Sequence, residues 1–280
     1  MIFEIPDLKI ANIVKRPSLT CKTPYVADGL LQSHGETMIH CPSLGCCGLC
    51  DTHSKILVSH IEKVHNKKQI CDFRAELAIH EERRNIQLIG INPKLAEIIV
   101  NNCLNKGYIS TLKNLQSFKR EVTYLNSRFD FAGVDENGLE FILEVKNVPL
   151  ADYVDCLDKE KKHMDFSDRE YNSKISYFPY GYRKKVKDTV SPRALKHIQE
   201  LQKLVIPNQR RCIICYVIQR DDIAIFQPSK IDTQYRQAVI EAHENGVEIL
   251  PLVCKWDYDG KNGVCNFITD QLPINVNDTS

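Results

Sequence analysis

Glu144 and Lys146 stand two residues apart in the run Leu143-Glu144-Val145-Lys146, and Asp130 precedes them in Ser127-Arg128-Phe129-Asp130-Phe131. On a β-strand, residues two apart leave the same face, so a carboxylate and an ammonium are presented side by side. Phe141, Leu143 and Val145 leave the other face and read as core. Asn137-Gly138 lies between the two runs and is a strong hairpin signal, so Asp130 is expected on a neighbouring strand within reach of Glu144. Two adjacent carboxylates suit a hard divalent cation, since Mg²⁺ takes oxygen ligands and is often held by one or two carboxylates plus water. A metal there can polarise a phosphodiester, and Lys146 can orient the nucleophile or stabilise developing charge.

An Asp followed after a gap by Glu-x-Lys looks like the PD-(D/E)XK nuclease signature. The bland alternative is a solvated strand face, the ordinary meaning of a lone Glu-x-Lys. Asp130 and Glu144 are the expected metal ligands and Mg²⁺ or Mn²⁺ the expected cofactor. Glu97 and Glu121 are both candidates for a further acid.

The elements that must position these groups can be read from local pattern. Up to Glu81 short apolar stretches alternate with breakers such as Pro17, Asp28-Gly29, Pro42, Gly45 and Gly48. Strands are expected over Ile10–Val14, Thr23–Val26, Thr37–His40, Lys55–Ile61 and Arg74–Ile79, suggesting a small barrel of OB type. Pro93–Cys103 reads as a helix with Gly107 beyond its end. Strands follow at Phe118–Tyr124, Arg128–Val134 and Glu140–Val145. Ala151–Lys174 is dense in charge and reads as an exposed insertion. Ser191-Pro192 reads as an N-cap and first helical position, with Leu195, Ile198, Leu201, Leu204 and Val205 as the apolar stripe. Cys212–Ile218 is a buried strand, Asp232 caps a helix through His243, and Val247–Cys254 is another strand. This order predicts an α/β (α+β) protein, with a mixed sheet flanked by helices after the β-rich first part.

Several separated motifs, in order, resemble the sugar fermentation stimulation protein (SfsA) family. They are Lys15-Arg16, His40-Cys41-Pro42-Ser43-Leu44-Gly45, Gly90-Ile91-Asn92, Glu121, Ser127 to Phe131, Glu144-Val145-Lys146, Phe178-Pro179, Asp188-Thr189-Val190-Ser191, Arg193, Lys196-His197, Gly246 to Ile249 and Leu272-Pro273. The resemblance implies two domains: an OB-like β-barrel over 1–81 and a restriction-endonuclease-like domain over 82–280, with a charged insertion near 151–187. It implies DNA binding of low sequence specificity and hydrolase activity of the nuclease kind. It favours Glu121 over Glu97 as the further acid and adds Lys196 to the catalytic set, with Arg128 and Arg193 among the nucleic-acid contacts. The alternative is a binding or regulatory protein that keeps this fold without catalysis. Paired carboxylates argue against it, because without a metal they repel phosphates.

This chain departs from the family pattern in two places. Tyr180 to Lys187 separates Phe178-Pro179 from Asp188, carrying Arg183, Lys184, Lys185 and Lys187 near Tyr177, Phe178, Tyr180 and Tyr182. A basic loop with aromatics suits nucleic acid, single strands above all, through phosphate contact and stacking; the alternative is a solvated loop. After Gly45 comes Cys46-Cys47-Gly48-Leu49-Cys50 in place of arginine and methionine. Cys47 and Cys50, with Cys41, Cys46, His53 and Cys71 nearby, raise a zinc reading, but no second pair of similar spacing follows. Cys212 and Cys215 are three apart on a strand, point to opposite faces and read as core.

Composition sets the limits. The chain has 280 residues, 37 Lys plus Arg against 36 Asp plus Glu, and a net charge of +1. So balanced a charge leaves nucleic-acid binding, to DNA or RNA, to local basic patches, with salt-sensitive affinity. The start does not read as a signal peptide, and no apolar run has membrane-helix length. Twelve cysteines are then expected as reduced thiols, in a cytoplasmic protein without membrane contact.

Overall fold

A computed structural model of the chain describes residues 1–62, 69–181 and 188–276. Its strands and helices run β1 (Phe3–Ile5), β2 (Lys9–Lys15), β3 (Val26–Leu31), β4 (Gly35–His40), β5 (Lys55–His60), β6 (Phe73–Glu82), β7 (Asn85–Gly90) and α1 (Pro93–Lys106). Then come β8 (Ser117–Tyr124), β9 (Ser127–Val134), β10 (Glu140–Val148), β11 (Ala151–Asp152), α2 (Asp158–Lys161) and β12 (Lys174–Phe178). The chain closes with α3 (Pro192–Leu204), β13 (Arg210–Ile218), β14 (Ile223–Pro228), α4 (Thr233–Glu244), β15 (Val247–Tyr258) and β16 (Gly263–Thr269).

The result is a mixed α+β fold dominated by sheets. A six-stranded sheet has the order β4-β3-β2-β5-β6-β7, and parallel pairing of Ile39 with Phe73 and His40 with Arg74 also joins β4 to β6. Its inward side chains, among them Ile13, Leu31, Ile39, Ile56, Val58, Phe73 and Ile89, form one core. A seven-stranded sheet has the order β1-β16-β15-β13-β10-β9-β8, with β10, β13 and β15 parallel to one another. Alternation splits its residues cleanly. Phe141, Leu143, Val145, Ile213 and Cys215 pack against α1, while Ile142, Val148, Cys212 and Ile214 pack under α3 and α4. Cys212 and Cys215 thus lie in opposite cores, as their spacing requires.

Two features depart from the local reading. Strand membership does not divide at residues 81 and 82, because β7 pairs with β6 across that point and β1 crosses over to pair with β16. The charged stretch from 151 to 174 is not wholly exposed. Lys174 is buried, where its ammonium lies 2.7 Å from Asp222 and 3.0 Å from Glu82, and Asp222 also binds Arg220. This network ties the end of the stretch to β6 and to the loop between β13 and β14, while the charged residues from Asp158 to Glu170 are mostly exposed. Among the described residues, no helix is long and apolar enough to cross a membrane.

The helix starts follow their caps. Asn92 accepts from Lys94 N at 3.1 Å with Pro93 behind it, and Gly107 ends α1 at φ +63°, where a Cβ would be strained. Ser191 accepts from Ala194 N at 3.2 Å to start α3. Asp232 accepts from Tyr235 N at 3.0 Å to start α4.

Candidate active site

The β9–β10 hairpin turns at Asn137-Gly138, with Gly138 at φ +82° and the Asp135 carboxylate accepting from Asn137 N and Leu139 N. Its ladder runs from Val134 opposite Glu140 to Phe131 opposite Leu143 and stops there. Past that point a side chain takes over from the backbone: Asp130 Oδ2 accepts from Val145 N at 2.7 Å. The hairpin therefore brings Asp130 onto the strand that carries Glu144 and Lys146.

Glu144 shares its face of β10 with Ile142 and Val148, under α3, and is only 3% exposed. Its Oε1 accepts from the Lys146 ammonium and is also hydrogen-bonded to His197 Nδ1. Its Oε2 is buried with no hydrogen-bond partner. Burial pushes the Glu144 carboxyl up, but Lys146 and His197 outweigh it and leave the group below its usual range. Asp130 goes the other way. Burial first, then the charges of Glu144 and Glu97, push it up to about 7 against the pull of Val145 N–H and Lys146. Two neighbouring carboxylates are thus held unequally, Glu144 below its usual range and Asp130 well above its own.

A hard cation fits this donor set. The orphaned Oε2 of Glu144 lacks a positive partner, and the charge on Asp130 is unfavourable until something neutralises it. Among the described residues no three His, Cys, Asp or Glu side chains come together as a metal cluster. The candidate ligands are therefore the two carboxylates, with water completing the shell as Mg²⁺ prefers.

The other expected residues are placed less centrally. Glu121, at φ +55°, faces Arg128 at 3.6 Å, and both side chains are more than half exposed. Between the two candidate acids, it is Glu97 on α1 whose charge reaches Asp130. The Lys196 ammonium donates to Asn126 O at 2.6 Å and sits 3.8 Å from Glu200. Its neighbour His197 takes the inward position. Arg193 is exposed on the first turn of α3. Arg183, Lys184, Lys185 and Lys187 lie outside the described residues. The visible sign of His197 was a histidine on the buried stripe of α3, with Ala194, Ile198 and Leu201 around it.

A cleft of about 700 Å³ opens beside Lys146. One wall is the segment from Ser43 to Asp51, and the other carries Leu157 and Phe178 to Gly181. Lys146 is the member of the triad that lines it; Glu144 is buried out of the cleft's lining. The cysteines of the first wall are free thiols, with Cys41 Sγ 3.4 Å from Cys50 Sγ and Ser43 Oγ donating to Cys46 Sγ at 3.1 Å. They form no metal cluster among the described residues.

Comparison with known proteins identifies the family. The family profile described as "Sugar fermentation stimulation protein RE domain" matches residues 94–157 and 172–260, more than half of the chain. The match thus breaks off at α2 and the charged stretch beyond it. A sugar fermentation stimulation protein homolog from Clostridium tetani is 28% identical over 257 residues, covering 90% of this chain and 93% of that one. One from Shewanella halifaxensis is 29% identical over 230 residues, covering 81% and 83%. The structure of Pyrococcus furiosus SfsA in complex with Ca²⁺ superimposes with a TM-score of 0.72 at 18% identity, covering 98% of each chain. At that identity the likeness speaks for the fold, which it shares from end to end. This chain belongs to the sugar fermentation stimulation protein (SfsA) family.

Proposed function

We propose that this protein is a metal-dependent nuclease that hydrolyses phosphodiester bonds with low sequence specificity. The observation that carries the reading is the buried, unpartnered Oε2 of Glu144, whose carboxylate charge reaches Asp130, with Lys146 bonded to its Oε1 and lining an open cleft. We read the six-stranded sheet, with its extra β4–β6 pairing, as an OB-like barrel. The seven-stranded sheet with its flanking helices then reads as a restriction-endonuclease-like domain. The Ca²⁺ of the Pyrococcus furiosus complex favours a divalent cation at a family site, and we assign Mg²⁺ or Mn²⁺ here.

Asp130 and Glu144 would hold the cation, which supplies Lewis-acid polarisation of the phosphodiester. Val145 N–H fixes one oxygen of Asp130 and leaves the other for a ligand. His197 holds Glu144 by Oε1 and so presents Oε2, a positioning role. Lys146 is the cation at the cleft, placed to orient the attacking water and to stabilise charge that builds on the phosphate. The test is cleavage of labelled DNA and RNA, single-stranded and duplex, with Mg²⁺, with Mn²⁺ and with chelator. Cleavage that needs the metal is expected; a protein inert on every substrate with both metals refutes the reading.

A further inference from the structure

We infer that the cleft beside Lys146 receives an unpaired base, which makes single-stranded nucleic acid the preferred substrate. The inference rests on the nuclease reading and narrows it.

Among the described residues, the lining suits a duplex backbone poorly. Its charged members there are Lys146 and Asp51, and Asp51 lies 3.8 Å from the Arg16 guanidinium. Duplex binding draws on many phosphate contacts to Lys and Arg. The walls here are instead Leu44, Pro93, Leu157, Phe178 and Tyr180, apolar and aromatic groups that match the flat face of a base. The size agrees. About 700 Å³ lies in the range of roughly 300–1,000 Å³ typical of small-ligand pockets. A base in a duplex reaches such a pocket only after leaving its stack, whereas a single strand has little stacking to lose.

Both walls are braced. On one side, the Arg16 guanidinium donates to the carbonyls of Pro24 at 2.7 and 2.9 Å and of Ser43 at 2.9 Å. That holds the segment from which Leu44 projects, 61% exposed. On the other, Tyr180 packs edge-on against Tyr177 with ring centroids 6.3 Å apart, donates its hydroxyl to Asp158 and has the Lys161 ammonium 5.6 Å from its ring. An aromatic ring held this way loses little freedom when a base stacks on it.

The polar side chains of the lining are already engaged. Ser43 donates to Cys46, Asn147 donates to Gly90 O and accepts from Gln219, and Ser191 caps α3. Few groups remain to read a base edge, so the cleft takes any base by its face, in keeping with low sequence specificity.

The experiment uses the full chain in chelator, so that nothing is cleaved. Fluorescently labelled single-stranded DNA and RNA of mixed sequence and the matching DNA duplex are titrated and followed by anisotropy. Single strands of both kinds are expected to bind at least tenfold tighter than duplex. Tyr180→Ala should weaken single-strand binding by about 5- to 150-fold, the scale of one lost stacking contact, and duplex binding by less than twofold. Tyr180→Phe keeps the ring and should bind single strands as the wild type does. Duplex binding as tight as single-strand binding, or a Tyr180→Ala loss equal on both, overturns the inference and leaves the nuclease reading standing. Absence of binding to every probe overturns the inference as well, while the nuclease reading stands or falls on cleavage with Mg²⁺ or Mn²⁺.

Discussion

Asp130→Asn removes a charge while keeping the oxygen that accepts from Val145 N, so it isolates the electrostatics of the carboxylate pair. The Asp130 carboxyl sits at about 7, against an ordinary value of 3.8. The folded protein therefore binds this proton more tightly than the unfolded chain does. Stability from that difference is fully present below the unfolded value and is lost as pH rises through about 7. At about 1.4 kcal/mol per unit, the charged form costs at most roughly 4 kcal/mol at pH 8 and about 2 kcal/mol at pH 5. In chelator, Asp130→Asn should thus be more stable than wild type, and by more at pH 8 than at pH 5. Urea unfolding at the two pH values measures it. Mg²⁺ or Mn²⁺ at a hundred times its Kd should add about 2.7 kcal/mol to wild type alone, narrowing the gap at pH 8 and reversing the order at pH 5. A variant no more stable than wild type at pH 8 in chelator, or one that gains as much from metal, would refute the coupled-carboxylate account.

Lys146→Ala should leave metal binding intact or stronger, since a neighbouring cation is gone, and slow cleavage by roughly a hundredfold or more, checked by calorimetry and single-turnover kinetics. His197→Ala frees Glu144 Oε1 and should weaken metal affinity by roughly 10- to 100-fold, the scale for a group that orients a ligand; calorimetry reads it, and partial recovery in His197→Asn separates positioning from fold loss. Replacing Arg183, Lys184, Lys185 and Lys187 together with Ser should weaken nucleic-acid binding and flatten its salt dependence, read as the slope of log affinity against log salt.

Much of the site was legible because its logic is local. Strand alternation put Glu144 and Lys146 on one face, and the Asn137-Gly138 turn delivered Asp130 to them. Caps at Ser191 and Asp232 placed α3 and α4 to within a residue. The misses are long-range. That β1 pairs with β16, or that the β9–β10 ladder stops at Phe131 so that Asp130 bonds Val145, depends on partners no short window contains. Strand β14 was not expected, though it pairs with β12 and carries buried Phe226. Lys196 entered the expected catalytic set through the family motif. His197, one residue on, stood in the family motif beside Lys196 with no role assigned, and it is His197 that meets Glu144.

The central claim is that Asp130, Glu144 and Lys146 form one metal-dependent hydrolytic site. Single-turnover cleavage of labelled single-stranded DNA tests it most directly, with wild type, Asp130→Asn and Lys146→Ala purified side by side and assayed in Mn²⁺ and in chelator. The account predicts cleavage by wild type that chelator abolishes, a severe loss in Asp130→Asn, and a loss of roughly a hundredfold or more in Lys146→Ala. Equal rates from all three proteins would contradict it.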